Sequence, residues 1–354
     1  MKKALVAALV LIGGAGVAIY FVRHQKPPVP PVAMTSDAGS PESSLLFVAR
    51  SEPPSIWRVF PSGKLERLDI AVDVETSEGP EGSTLPRVSP DGKKIALVRQ
   101  ANLMIRDLKT GAETRVTTDG RRADSKTASV DVSIIAWSAD GQKLAFHVGE
   151  SQGIETEDGA DLAVPKANYG NFVFDGTQAT KIELPAEVIA WLPDGSFLLS
   201  EAGQSQPATT RLLRWEIGQA AAPVALPAGY YGQVHVGRGW RYAVASIATG
   251  IGKDSRIVRW DLKKATPEAV TESGGWAEYQ WPRLSPDEQQ VAFLRGPELW
   301  VRDHMVLRPA QQLVNYDWID DQTLVVETPG ELIVVGVDRQ VRGRASVVAG
   351  DGGP

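Results

Sequence analysis

Four histidines, His24, His147, His235 and His304, are the residues first suited to acid–base or metal chemistry, and their spacing supports neither. They form no His-Glu-x-x-His pair and no other pair at metal-ligand distance along the chain. His147 follows Phe146 in an apolar run and reads as an ordinary strand histidine. The chain has no cysteine, which excludes thiolate catalysis, disulfides, Cys-ligated zinc and a lipidated-cysteine anchor. It also has no Gly-x-Ser-x-Gly elbow to carry a nucleophilic serine. Glu155, Glu157, Asp158 and Asp161 around Gly159 suggest calcium but lack the ligand order of a calcium loop, so they read as a solvated segment. Arg121, Arg122 and Lys126 form an opposite, basic cluster. These residues predict no catalytic group, no metal and no cofactor.

The elements that would position any site are clearer. Pro86 to Thr118 reads as four short strands joined by turns. Leu85 to Val88 runs into Ser89-Pro90-Asp91-Gly92, where proline fixes φ, aspartate bonds its own backbone and glycine accepts positive φ. Lys94 to Arg99 and Leu103 to Leu108 follow, and Lys109-Thr110-Gly111 turns into Thr114 to Thr117. One such sheet cannot bury both faces, so its stability requires recurrence. The opening returns in Trp137-Ser138-Ala139-Asp140-Gly141, in Trp191-Leu192-Pro193-Asp194-Gly195 and, without the glycine, in Ser285-Pro286-Asp287-Glu288. Trp137, Trp191 and Trp318 fall at one aligned position, and Trp215 and Trp260 at another, which marks all five as core.

This pattern resembles the TolB-type, WD-like β-propeller repeat, over about residues 44 to 348. The resemblance implies an all-β, seven-bladed propeller of four-stranded antiparallel blades, with six blades possible if the first unit shares a sheet with the C-terminal strands. The first unit, from Leu45, lacks an inner strand, which the tether or the C-terminus would supply. A prolyl-oligopeptidase relative would need a hydrolase domain beyond the propeller, and none is expected here.

The chain has 354 residues and a net charge of -6, which opposes nucleic-acid binding. Ala4 to Val22 is an apolar run between Lys2-Lys3 and Arg23, long enough to cross most of a ~30 Å hydrocarbon core. Residues 1–26 therefore read as an uncleaved signal anchor and transmembrane helix, the alternative being a signal peptide removed after export, 27–43 as a Pro/Ser-rich tether, 44–348 as the propeller and 349–354 as a disordered tail. The propeller would lie on the periplasmic or extracytoplasmic side of the cytoplasmic (inner) membrane.

Propeller topology puts the tight Asp-Gly and Lys-Thr-Gly turns on one face and the longer connections on the other. Loops carry function more often than their scaffold. The loop-rich face receives Tyr230, Tyr231, Trp276, Tyr279 and Trp281 and, from the basic cluster, Arg121 and Arg122, residue types that anchor interfaces. TolB-like relatives are non-catalytic partners in envelope complexes, so the resemblance implies a non-enzymatic, membrane-tethered module that binds another envelope or membrane protein. The alternative is a small-ligand-binding, hydrolase or lyase propeller using its central channel. Its polar candidates are Arg87, Ser133, His235, Arg283 and Asp317, a poor set for a metal.

Overall fold

The computed structural model describes residues 44–50, 54–72, 78–79, 82–122, 127–150, 166–202, 210–226, 229–248, 254–275 and 279–347. Residues 1–43, including the apolar run and the tether, lie outside them, as do Glu155, Glu157, Asp158, Asp161, Trp276 and the C-terminal tail. Among the described residues no helix is long and apolar enough to cross a membrane.

Seven antiparallel sheets follow one another along the chain. Blade 1 contributes three strands, Leu45–Ala49, Ser55–Val59 and Leu65–Leu68. Blades 2 to 7 each run from an innermost to an outermost strand, four to a blade. Their innermost strands are Arg87–Val88, Val130–Trp137, Glu187–Trp191, Tyr230–Val236, Tyr279–Leu284 and Asn315–Asp320. The Ser-Pro-Asp-Gly turn works as its residues dictate. Ser89 Oγ donates to Asp91 Oδ1 at 2.6 Å and accepts from the Lys94 amide at 3.0 Å, with Gly92 at φ 69°.

The core shows why seven sheets make one ring. Among the described residues there are seven apolar clusters, and each fills the space between two neighbouring blades. The last pair closes the circle: Leu45, Phe47, Trp57 and Val59 of blade 1 pack on Ile319, Val325, Leu332 and Val334 of blade 7. At this seam the outer strand of blade 7 runs against the Phe60–Gly63 turn of blade 1, where Arg342 Nη1 donates to the Pro61 carbonyl at 3.2 Å. A Cβ on Gly343 would overlap the Gly63 carbonyl. Gly343→Ala is therefore expected to force the strand and the turn apart and cost about 1–3 kcal/mol. The urea midpoint checks this, since it should fall with an unchanged slope. An unshifted midpoint would mean that the seam has slack.

One connection differs from the sequence reading. The segment after blade 1, expected as a surface loop on the loop-rich face, pairs with a neighbouring sheet. Glu78–Gly79 and Gly82–Ser83 form a short ladder, and Ser83 pairs with Ile134 on the inner edge of the innermost strand of blade 3. That edge borders the axis of the ring, so the chain itself occupies the channel on this side.

Candidate ligand site at the channel mouth

The site is built from one layer of residues. Immediately before the turn residue at the end of each innermost strand stand two positions, and the first of them is Arg87, Ala136, Ala190, His235, Arg283 and Asp317 in blades 2 to 7. Four of these are long or polar and two are alanine. Next to the alanines the wall recedes, leaving a recess of about 80 Å³ at the tight-turn end of the channel. Its lining includes Arg87, Trp137, Trp191, His235, Arg238 and Trp240. A water needs roughly 10–15 Å³ by such a measure, so the recess holds a small head group, not a whole drug-sized molecule.

The innermost strands do not run straight into this layer. Register shifts fall within those of blades 3 to 7, between Gly232 and His235 in blade 5 and between Gln280 and Arg283 in blade 6, for example. Such bulges re-aim the side chains beyond them. Gln233 and Trp281 take left-handed φ at these bulges, and Gln233 Oε1 accepts from the Trp281 amide at 2.6 Å.

The charge at the mouth is mainly positive. Arg87 and Arg238 line the recess, while Arg283 is buried in the same layer, of which Asp317 is the carboxylate. Arg238 reaches from the blade 5 turn past blade 6 to blade 7, donating to Asp317 Oδ2 at 3.0 Å and to the Trp318 carbonyl at 2.6 Å. Arg283 is 2% exposed. It donates to Asn315 Oδ1 at 3.1 Å and lies over the Tyr316 ring at 5.3 Å, while its buried Nε has no hydrogen-bond partner. Burial pulls its pKa down, opposed by the charge of Asp317. Arg87 Nη1 donates to the Ile135 carbonyl at 2.7 Å.

His235 is buried and held well below the ordinary histidine range, first by desolvation and then by Arg283 and Arg238. It is therefore neutral near pH 7. Its Nδ1 accepts from the Leu284 amide at 3.3 Å, which places the ring proton on Nε2 and makes His235 a neutral hydrogen-bond donor in the wall of the recess. Among the described residues no three His, Cys, Asp or Glu side chains come together as a metal site. Guanidinium neighbours would in any case repel a cation from His235.

The residues expected at the loop-rich face have mixed locations. Tyr231 and Tyr279 are buried, edge-on to Trp260 and Phe293 with ring centroids 6.2 and 5.7 Å away, so both pack blades together. Trp281 is half-buried against the cluster of blades 6 and 7, and its carbonyl accepts from the Tyr316 hydroxyl. Tyr230 is half-buried, and Arg121 and Arg122 are exposed in the approach to blade 3. The five tryptophans read as core are all buried.

The family described as "Dipeptidyl peptidase IV (DPP IV) N-terminal region" matches residues 43–158. No curated protein matches the sequence. Oligogalacturonate lyase from Vibrio parahaemolyticus is similar in structure, with TM-score 0.58 at 12% identity, over 87% of this chain and 89% of that one. Acylaminoacyl peptidase from Pyrococcus horikoshii gives 0.50 at 15% identity, over 88% of this chain and 52% of that one. TolB from Acinetobacter baumannii gives 0.45 at 15% identity, over 84% of this chain and 61% of that one. The first two of these likenesses establish the fold and nothing finer. They also correct one expectation. The non-enzymatic reading came from a repeat taken as typical of binding proteins, whereas the same propeller is found in a lyase and in a peptidase.

Proposed function

We propose that the protein binds a small organic anion, such as the end of a carboxylated sugar, in the recess at the tight-turn mouth of its central channel. The observation that carries this reading is the presence of two guanidinium groups, Arg87 and Arg238, in the lining of the recess, beside a layer whose one carboxylate is Asp317. A guanidinium offers a carboxylate two parallel donors, and a desolvated site strengthens them. Indole rings beside the recess, with the neutral donor of His235, suit the body of a sugar better than a bare inorganic ion.

Short oligogalacturonates are the first probe, being anionic sugars and the substrate class in the name of the Vibrio enzyme. Calorimetric titration should show salt-sensitive binding of a trigalacturonate and none of a neutral trisaccharide. Arg87→Met should weaken it about tenfold or more, which corresponds to the loss of one charge-assisted contact of at least ~1.4 kcal/mol. Equal binding of the neutral and charged sugars, or no binding of either, would sink the proposal. The same mixtures, followed for new carbon–carbon double bonds, test whether the bound sugar is also cleaved by elimination. A guanidinium that neutralises a uronate carboxylate also makes the neighbouring C–H more acidic, as an elimination requires.

A further inference from the structure

Blades 2, 3 and 4 end their first turn with Gly92, Gly141 and Gly195, all at left-handed φ. Blades 5 and 6 depart from this together. Trp240 holds the position in blade 5, its amide donating to the Gly237 carbonyl at 3.0 Å, and Glu288 holds it in blade 6, donating to Ser285 at 2.8 Å. Both have φ 59°, a conformation that residues with a Cβ avoid. Two adjacent turns that both accept this strain need something that holds them, and such strain gathers where a site is being shaped.

The Glu288 side chain supplies the hold. It is buried and enters the concavity of the Gly237–Arg241 turn of blade 5. Its Oε1 accepts from the Arg241 amide at 3.4 Å, and the amides of Gly239 and Tyr242 also point to the carboxylate. A Cβ on Gly237 would overlap the carboxylate, and one on Gly239 would stand 3.0 Å from it, which explains the glycines flanking Arg238. Its backbone is fixed from the other side by Arg259 Nη1, which donates to the Glu288 carbonyl at 3.1 Å. The turn so gripped is the one that carries Arg238 and Trp240 into the recess.

We infer that Glu288 is a positioning residue: inserted from blade 6, it holds the blade 5 turn that presents Arg238 and Trp240 to the channel mouth. Its bearing on ligand binding rests on the reading of that mouth as an anion site. Burial raises the carboxyl, and the amides around it together with Arg241 pull it back, as expected of a carboxylate held inside a turn.

The test compares the full protein with Glu288→Gly and Glu288→Gln. Glycine is the residue the other turns carry, so E288G relieves the left-handed strain and its melting temperature should stay the same or rise. Hydrogen–deuterium exchange across residues 237–242 should nevertheless accelerate by about tenfold or more, and affinity for trigalacturonate should fall by a similar factor. E288Q keeps one acceptor oxygen and should lie between. Unchanged exchange in E288G would overturn the anchoring. Faster exchange with unaltered affinity would reduce Glu288 to a structural residue of the turn and overturn its positioning role. If the unmutated protein takes up no trigalacturonate while exchange still rises in E288G, the anion reading falls and the anchoring stands.

Discussion

Asp317→Asn is expected to lower the stability of the folded protein by about 3–5 kcal/mol, although it changes one atom in shape. Asp317 is 2% exposed. It accepts from Arg238 at 3.0 Å, holds the Trp318 amide through Oδ1 at 2.7 Å and is the opposing charge for Arg283. Asparagine can still accept one of these bonds, but two largely buried guanidinium groups lose their counter-charge in a medium that screens poorly. Chemical denaturation measures the loss. The same variant should regain stability on adding an organic carboxylate, because the vacated charge leaves the mouth more strongly cationic. A loss below about 1 kcal/mol, with no response to added anion, would show that the arginines are balanced elsewhere.

Trp318→Ala should be as severe, about 3–5 kcal/mol, for a different reason. Trp318 is fully buried between blades 6 and 7 and packs with Leu299, Val301 and Leu324. Its Nε1 also donates across the interface to the Arg283 carbonyl at 3.1 Å. Trp137 does the same from blade 3, donating to the Arg87 carbonyl at 2.9 Å. In both cases an indole at the end of one strand fixes the backbone of the arginine on the preceding blade. Removing the ring thus opens a cavity and also frees a strand that carries the channel charge. A midpoint shift equivalent to less than about 2 kcal/mol would mean that the two blades close over the space.

The fold was legible because its signals are local. A serine, an aspartate and a glycine within four residues decide the tight turns of blades 2 and 3, as Ser89, Asp91 and Gly92 show, and the partial recurrence of that turn marks other blades. The polar channel residues Arg87, His235, Arg283 and Asp317 were legible as polar positions on the innermost strands. Arg238 and Trp240 were not, because the blade 5 turn has lost the usual residues and its partner Asp317 lies 79 positions away. The missing glycine at Glu288 was visible in the sequence, but the turn it grips was not. Tyr231 and Tyr279 were placed on the loop-rich face because their strands begin there, but their rings pack into the clusters between blades 4 and 5 and between blades 5 and 6. The Ser83 pairing escaped because a two-residue ladder has no periodicity to read.

The seam between blades 1 and 7 makes this chain slow to hide its first apolar surface during synthesis. Blades 2 to 6 each meet the next within roughly forty residues, the length of one blade. The face formed by Leu45, Phe47, Trp57 and Val59 instead waits for Ile319 to Val334. At ~5–20 residues per second, that delay is on the order of ten seconds to a minute. Through that interval the nascent chain presents an aromatic, sheet-forming surface, which makes the first blade the segment with most need of a chaperone.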